Sequence, residues 1–132
     1  MHTLTVKTTS QFEMIDITRQ ISEVLQKETI RDGICHIFVA HTTAAVTINE
    51  NADPDVPKDM IAILDRIVPL QAGYRHGEGN AAAHAKASLL GASETVFIAD
   101  GRLVLGTWQG IFFCEFDGPR TRKVFVTTIV AS

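Results

Sequence analysis

Three histidines and a short list of acids are the residues whose types and spacing can do chemistry. His76, Glu78, Gly79, Asn80 and His84 fall together in the stretch His76-Gly77-Glu78-Gly79-Asn80-Ala81-Ala82-Ala83-His84. The glycines free the backbone to approach a ligand, and a helix opening at Asn80 offers unpaired N–H groups and partial positive charge. A phosphate fits that description, which makes Gly79 and Asn80 candidate phosphate contacts. His84 lies about one turn into the helix, so its imidazole can face what His76 faces. His41 ends an apolar run and completes a set of three. Neutral imidazole is a common zinc ligand, and three ligands with an open fourth position make a catalytic site. On the simpler reading the glycines form a tight turn, Asn80 is an N-cap and His84 is a surface residue.

The acids divide by setting. Asn49, Glu50, Asn51, Asp53, Asp55 and Asp59 form an oxygen-rich stretch that suits a hard cation such as Mg²⁺ beside substrate phosphates. Helix capping alone explains Asp53 and Asp55. Glu115, in Phe112-Phe113-Cys114-Glu115-Phe116, is expensive to bury unpaired, so it needs a cation, a metal or an exposed face. A buried Glu115 without a partner would have a raised pKa and act as a general base. Glu50, Glu78 and Glu115 are the candidate catalytic carboxylates. Trp108, Gln109 and Asn49 are candidate substrate contacts, although a lone Trp beside a strand also reads as core. Arg120, Arg122 and Lys123 taken alone read as a solvated hairpin tip. Cys35 and Cys114 sit among apolar neighbours as inert thiols, His36 reads as a core residue and His2 as terminal.

The elements that must position these groups follow from periodicity. Residues 3–8 alternate polar and apolar as a half-buried strand, and 34–40 is apolar on both parities as a covered strand. Residues 42–48 are β-branched and extended. Helices are expected over 16–29, capped by Asp16, over 54–67, following Asp53 and opened by Pro54, and from Asn80 to Leu90, with Gly91 behind it. From Thr95 to Val130 the chain is strand-like, with turns at Asp100-Gly101 and Gly118-Pro119. Strands and helices do not alternate as βαβ units. The expected fold is α+β, a mainly antiparallel, β-sandwich-like core with about three helices.

Composition sets the outer bounds. A chain of 132 residues, 45% hydrophobic and 20% charged, is one globular domain over 1–132 rather than a disordered or coiled-coil chain. Its net charge of −3 argues against a nucleic-acid partner. No apolar run approaches the roughly 20 residues that cross a bilayer, and the start lacks a secretion signal. No membrane association and a cytoplasmic location are therefore expected.

The strings HTTAAVTINENADPDV, YRHGEGNAAAHAKASLLG and GTWQGIFFCEFDGPRTRKV resemble, almost word for word, the YjbQ family of small bacterial and archaeal proteins. The resemblance runs from about residue 3 to 130. It implies a compact α+β fold with a sandwich-like β core, usually assembled as a homotrimer. It also implies a weak, secondary thiamine-phosphate synthase activity, joining a thiazole phosphate to a pyrimidine diphosphate with release of pyrophosphate. The family pattern falls on His41, Thr42, Thr43, Asn49, Glu50, Asp53 and Asp59, on His76, Glu78, Gly79, Asn80 and His84, and on Trp108, Gln109, Glu115, Asp117, Gly118, Pro119 and Arg120. That chemistry asks for charge stabilisation on the leaving group, from the Gly79-Asn80 backbone at a helix N-terminus, from Arg120, and from a divalent metal, Zn²⁺ or Mg²⁺, on His41, His76 and His84, with Trp108 placed to stack on a heteroaromatic ring. Two other functions fit the same residues: a metal-dependent hydrolase, and a non-catalytic trimer holding a metal or phosphorylated metabolite.

Overall fold

The computed structural model describes all 132 residues. Eight strands and three helices follow in the order β1 (His2–Lys7), β2 (Glu13–Asp16), α1 (Thr18–Glu28), β3 (Gly33–Val39), β4 (Ala44–Glu50), α2 (Asp55–Ile67), α3 (Ala81–Leu90), β5 (Ser93–Ala99), β6 (Arg102–Leu103), β7 (Gln109–Glu115) and β8 (Thr121–Val130). All strand pairings are antiparallel. The strands form a five-stranded sheet, β1-β8-β3-β5-β6, and a three-stranded sheet, β2-β7-β4. This is the α+β sandwich expected from the alternating strands and their turns.

The core lies between the sheets. Cys35, Ile37, Val39, Val96, Ile98, Val124 and Val126 face inward from the larger sheet, and Ala44, Val46, Ile111 and Phe113 from the smaller. Ile21, Val24 and Leu25 of α1 join the same cluster, as their spacing requires. Asp16 accepts the Thr18 N–H at 2.9 Å, so it caps α1 from just outside. Asp53 does the same for α2, accepting the Asp55 N–H at 2.9 Å. The other face of the smaller sheet buries Ala45, Phe112, Cys114 and Phe116 against Ala83 and Ala87 of α3 and Leu64 of α2. Alanines on α3 let its backbone come close to that sheet.

No helix covers the outer face of the larger sheet. There Phe38 pairs with Phe125, and Ile34 with Phe97 and Ile129. His36 stands on this face with Nδ1 2.8 Å from Thr95 Oγ1, so it is a half-buried surface residue and not the core histidine expected. His2 is likewise ordered in β1, 2.6 Å from Glu28. Two connections bridge the sheets at one end: residues 40–43 between β3 and β4, and residues 116–120 between β7 and β8. Gly118 is needed in the second, because a Cβ there would meet the Ser10 carbonyl oxygen at 2.3 Å. The same end receives the start of α3.

Candidate functional site

The bridging connections and the start of α3 border an open cavity of about 660 Å³. Its walls include His41 and Thr43 from the β3–β4 connection, His76, Glu78, Asn80 and His84 from the loop and start of α3, and Asp117, Arg120 and Arg122 from the β7–β8 turn. Three stretches far apart in sequence thus supply one polar chamber. A second cavity of about 440 Å³ adjoins it, sharing His41, Thr42, His84 and Ala92, and adds Ala44, Ala87, Ser88 and Gly91.

Behind the chamber lies a buried ion pair, of which Arg122 reaches the wall. Glu115 is fully buried and Arg122 is only 4% exposed. Arg122 Nε donates to Glu115 Oε1 at 2.9 Å, and Arg122 Nη2 donates to Oε2 and to Thr43 Oγ1. Thr8 Oγ1 at 2.8 Å and the Asp117 N–H at 3.1 Å complete the carboxylate's partners. Burial pushes the Glu115 pKa up, but the hydrogen bonds from Arg122, Thr8 and Asp117 outweigh it and hold the carboxyl below its usual range. Glu115 is therefore not the general base with a raised pKa. It meets the requirement for a cation through Arg122, which is no solvated hairpin residue. The signal was present in the sequence: Arg122 shares parity with inward-facing Val124 and Val126.

Around this pair the other groups are tied in turn. Asn80 Nδ2 donates to Asp117 Oδ2 at 2.8 Å, which leaves Asn80 Oδ1 buried without a partner. Arg120 donates to the Asp117 carbonyl at 2.7 Å and to its carboxylate at 3.0 Å, and its side chain remains 52% exposed at the cavity. Gly79 takes positive φ, but its N–H bonds the His76 carbonyl at 3.2 Å. Its amide is thus engaged in the turn and is not open to a phosphate.

The histidines share the chamber without forming one ligand set. His76 and His84 stack edge to face with centroids 5.3 Å apart. The two imidazoles are neighbours, one short of the three protein ligands that a catalytic zinc site takes. His41 differs, because its Nε2 accepts the Lys123 N–H at 2.8 Å. No group of three His, Cys, Asp or Glu side chains converges on a metal position. His41 does not join the other two, and the physical reason is that backbone bond.

The remaining sequence candidates lie elsewhere. Asn49 and Glu50 pair with Gly110 and Gln109 at the far end of the smaller sheet. Seven strand residues at about 3.3 Å each put that end roughly 20 Å from Glu115. Asn49 Oδ1 accepts the Glu50 N–H, and Gln109 Oε1 accepts the Gly106 N–H. Trp108 is 63% exposed there and is neither core nor part of the cavity. Asn49 and Glu50 end β4, Gln109 opens β7 and Trp108 stands in the turn before it, and none of the four lines the cavity. Cys35 and Cys114 are buried, with thiol pKa values pushed up to about 11 and about 12 by desolvation, as inert core thiols should be.

A family model described as UPF0047 protein YjbQ-like matches residues 2–131. The chain belongs to the YjbQ family. It is 55% identical over 127 residues to the UPF0047 protein YugU of Bacillus subtilis, covering 96% of each chain. A UPF0047 protein of Methanocaldococcus jannaschii is 50% identical, covering 94% of this chain and 90% of that one. Among solved structures, an uncharacterised YjbQ/UPF0047 protein of Clostridium acetobutylicum superposes with a TM-score of 0.96 at 49% identity, covering 98% of this chain and all of that one. A protein of unknown function from Sulfolobus solfataricus gives 0.94 at 38% identity, covering 98% and 96%. The YjbQ sandwich and its three helices are thus common to bacterial and archaeal members.

Proposed function

We propose that this YjbQ protein binds a phosphorylated small molecule in the chamber and acts as a secondary thiamine-phosphate synthase-type transferase of low rate. The observation that carries the reading is the convergence of Arg120, Arg122 and three imidazoles on one cavity beside the start of α3. A thiazole nitrogen displaces pyrophosphate from the pyrimidine's methylene carbon: the C–N bond forms as the C–O bond breaks, and the electron pair leaves with pyrophosphate. Negative charge grows on that leaving group, where Arg120 provides a charged donor. Glu78 stays exposed at the wall and is the one of the three candidate carboxylates that lines the cavity. A divalent cation, Zn²⁺ or Mg²⁺, belongs to this reading: His76 and His84 would hold it, and when bound it would supply further neutralisation of the leaving group.

A second reading, binding without turnover, is favoured by the lock on Glu115, which removes the buried carboxylate from acid–base work. One assay separates them. Purified protein is incubated with thiazole phosphate, pyrimidine diphosphate and Mg²⁺, and thiamine phosphate is measured. The transferase reading expects product from the wild type and none from His84→Ala; product from both would remove His84 from the site.

Homotrimeric assembly is part of the proposal. The bare outer face of the larger sheet exposes Phe97 at 69%, Ile129 at 58% and Phe38 at 43%. Aromatic, charge-poor faces of this kind are what subunit association covers. No helix is long and apolar enough to cross a membrane, and cytoplasmic residence completes the proposal.

A further inference from the structure

His41 is set apart by what its two ring nitrogens do. β3 leaves the sheet after Val39, which pairs with Val124 of β8. The next β8 residue on that side, Lys123, therefore has an N–H with no strand partner from β3. The His41 imidazole takes the missing carbonyl's place, with Nε2 accepting that N–H at 2.8 Å. A neutral imidazole has one acceptor nitrogen and one donor nitrogen, so the ring proton sits on Nδ1. Nδ1–H has no protein acceptor, while the ring lines both cavities. A metal would need the ring's lone pair, and on His41 that lone pair already faces Lys123.

We infer that His41 is a neutral hydrogen-bond donor of the chamber, giving its Nδ1–H to an oxygen of a bound phosphate or pyrophosphate, and that it is not a metal ligand. The inference rests on the reading of the chamber as an anion site. The charges facing the ring agree with it. Burial and Arg122 of β8, with Arg120 of the turn, lower the His41 pKa against the opposing pull of Glu115 of β7. A second ring proton would break the Lys123 bond and add a third cation beside two guanidiniums. As a donor rather than a point charge, His41 favours ligands that present acceptor oxygens at the junction of the two cavities.

Long-range proton–nitrogen correlation on ¹⁵N-labelled protein reads the tautomer without any substitution. The expected pattern at neutral pH is a protonated Nδ1 and a bare Nε2 on His41, with Nδ1 shifting when inorganic pyrophosphate is added and not when Zn²⁺ is added. Calorimetry with each probe alone, on the wild type and His41→Gln, supplies the second arm; the Gln carbonyl can still accept the Lys123 N–H and keep the fold. Pyrophosphate affinity should fall about tenfold, the size of one hydrogen bond to a charged group, with Zn²⁺ affinity kept within about threefold. A protonated Nε2, or loss of Zn²⁺ binding in His41→Gln, overturns the inference outright. A protonated Nδ1 with pyrophosphate affinity unchanged in His41→Gln overturns the donor role alone. Failure of the wild type to bind pyrophosphate overturns the anion reading together with the donor role.

Discussion

At the scale of single residues the centre of the structure is the Glu115–Arg122 pair, with both side chains out of water and every oxygen of the carboxylate in use. Removing one charge from such a pair leaves the other uncompensated, at a cost of about 3–5 kcal/mol. Glu115→Gln should therefore lower the denaturant midpoint strongly. The same pair fixes a pH dependence. The folded pKa of Glu115 lies below its ordinary 4.5, so its stabilisation is fully present above that value and is lost as the pH falls through the lower folded one. Thermal melts taken from neutral to acid pH should show an acid limb that Glu115→Gln flattens; an unchanged limb would assign acid sensitivity to other groups. The need of Glu115 for a cation was legible from its apolar neighbours, and the partner was not. Charge and a Gly-Pro turn made Arg122 look solvated, and only strand parity with Val124 and Val126 pointed inward.

At the scale of elements, α3 carries the site because it is thin. Ala83 is 1% exposed against the smaller sheet, and Asn80 and His84 reach the cavity from the same helix. Ala83→Leu would push the helix off Phe112 and Cys114, costing about 1–3 kcal/mol by overpacking. Chemical denaturation measures that loss, and Ala85→Leu, on the exposed side, should leave the midpoint nearly unchanged. The three helices and most strands could be read from periodicity and caps. The four-residue β2 could not, because it has no alternation of its own and is extended only through its pairing with β7. The three site stretches could be found singly. Their meeting depends on two sheet-crossing connections that local pattern does not reveal.

At the scale of the whole molecule the chain has two chemically different ends and one bare face. The cavity end holds His41, His76, His84, Arg120 and Arg122, and the far end holds Asn49, Glu50, Trp108 and Gln109. Similar motif density in sequence thus concealed a separation that only strand direction sets. The bare face predicts assembly. Light scattering after size exclusion should give three copies of the chain, and Phe97→Glu should give single copies while near-native secondary structure is kept. A trimer unaffected by Phe97→Glu would place the interface elsewhere. The most direct measurement concerns the chamber itself: calorimetric titration of inorganic pyrophosphate into the wild type, Arg120→Ala and Trp108→Ala. Binding to the wild type, weakened about tenfold in Arg120→Ala through loss of a charged contact and unchanged in Trp108→Ala, is the predicted result. No binding to the wild type, or binding that depends on Trp108 and not on Arg120, would contradict a phosphate site at this end of the sandwich.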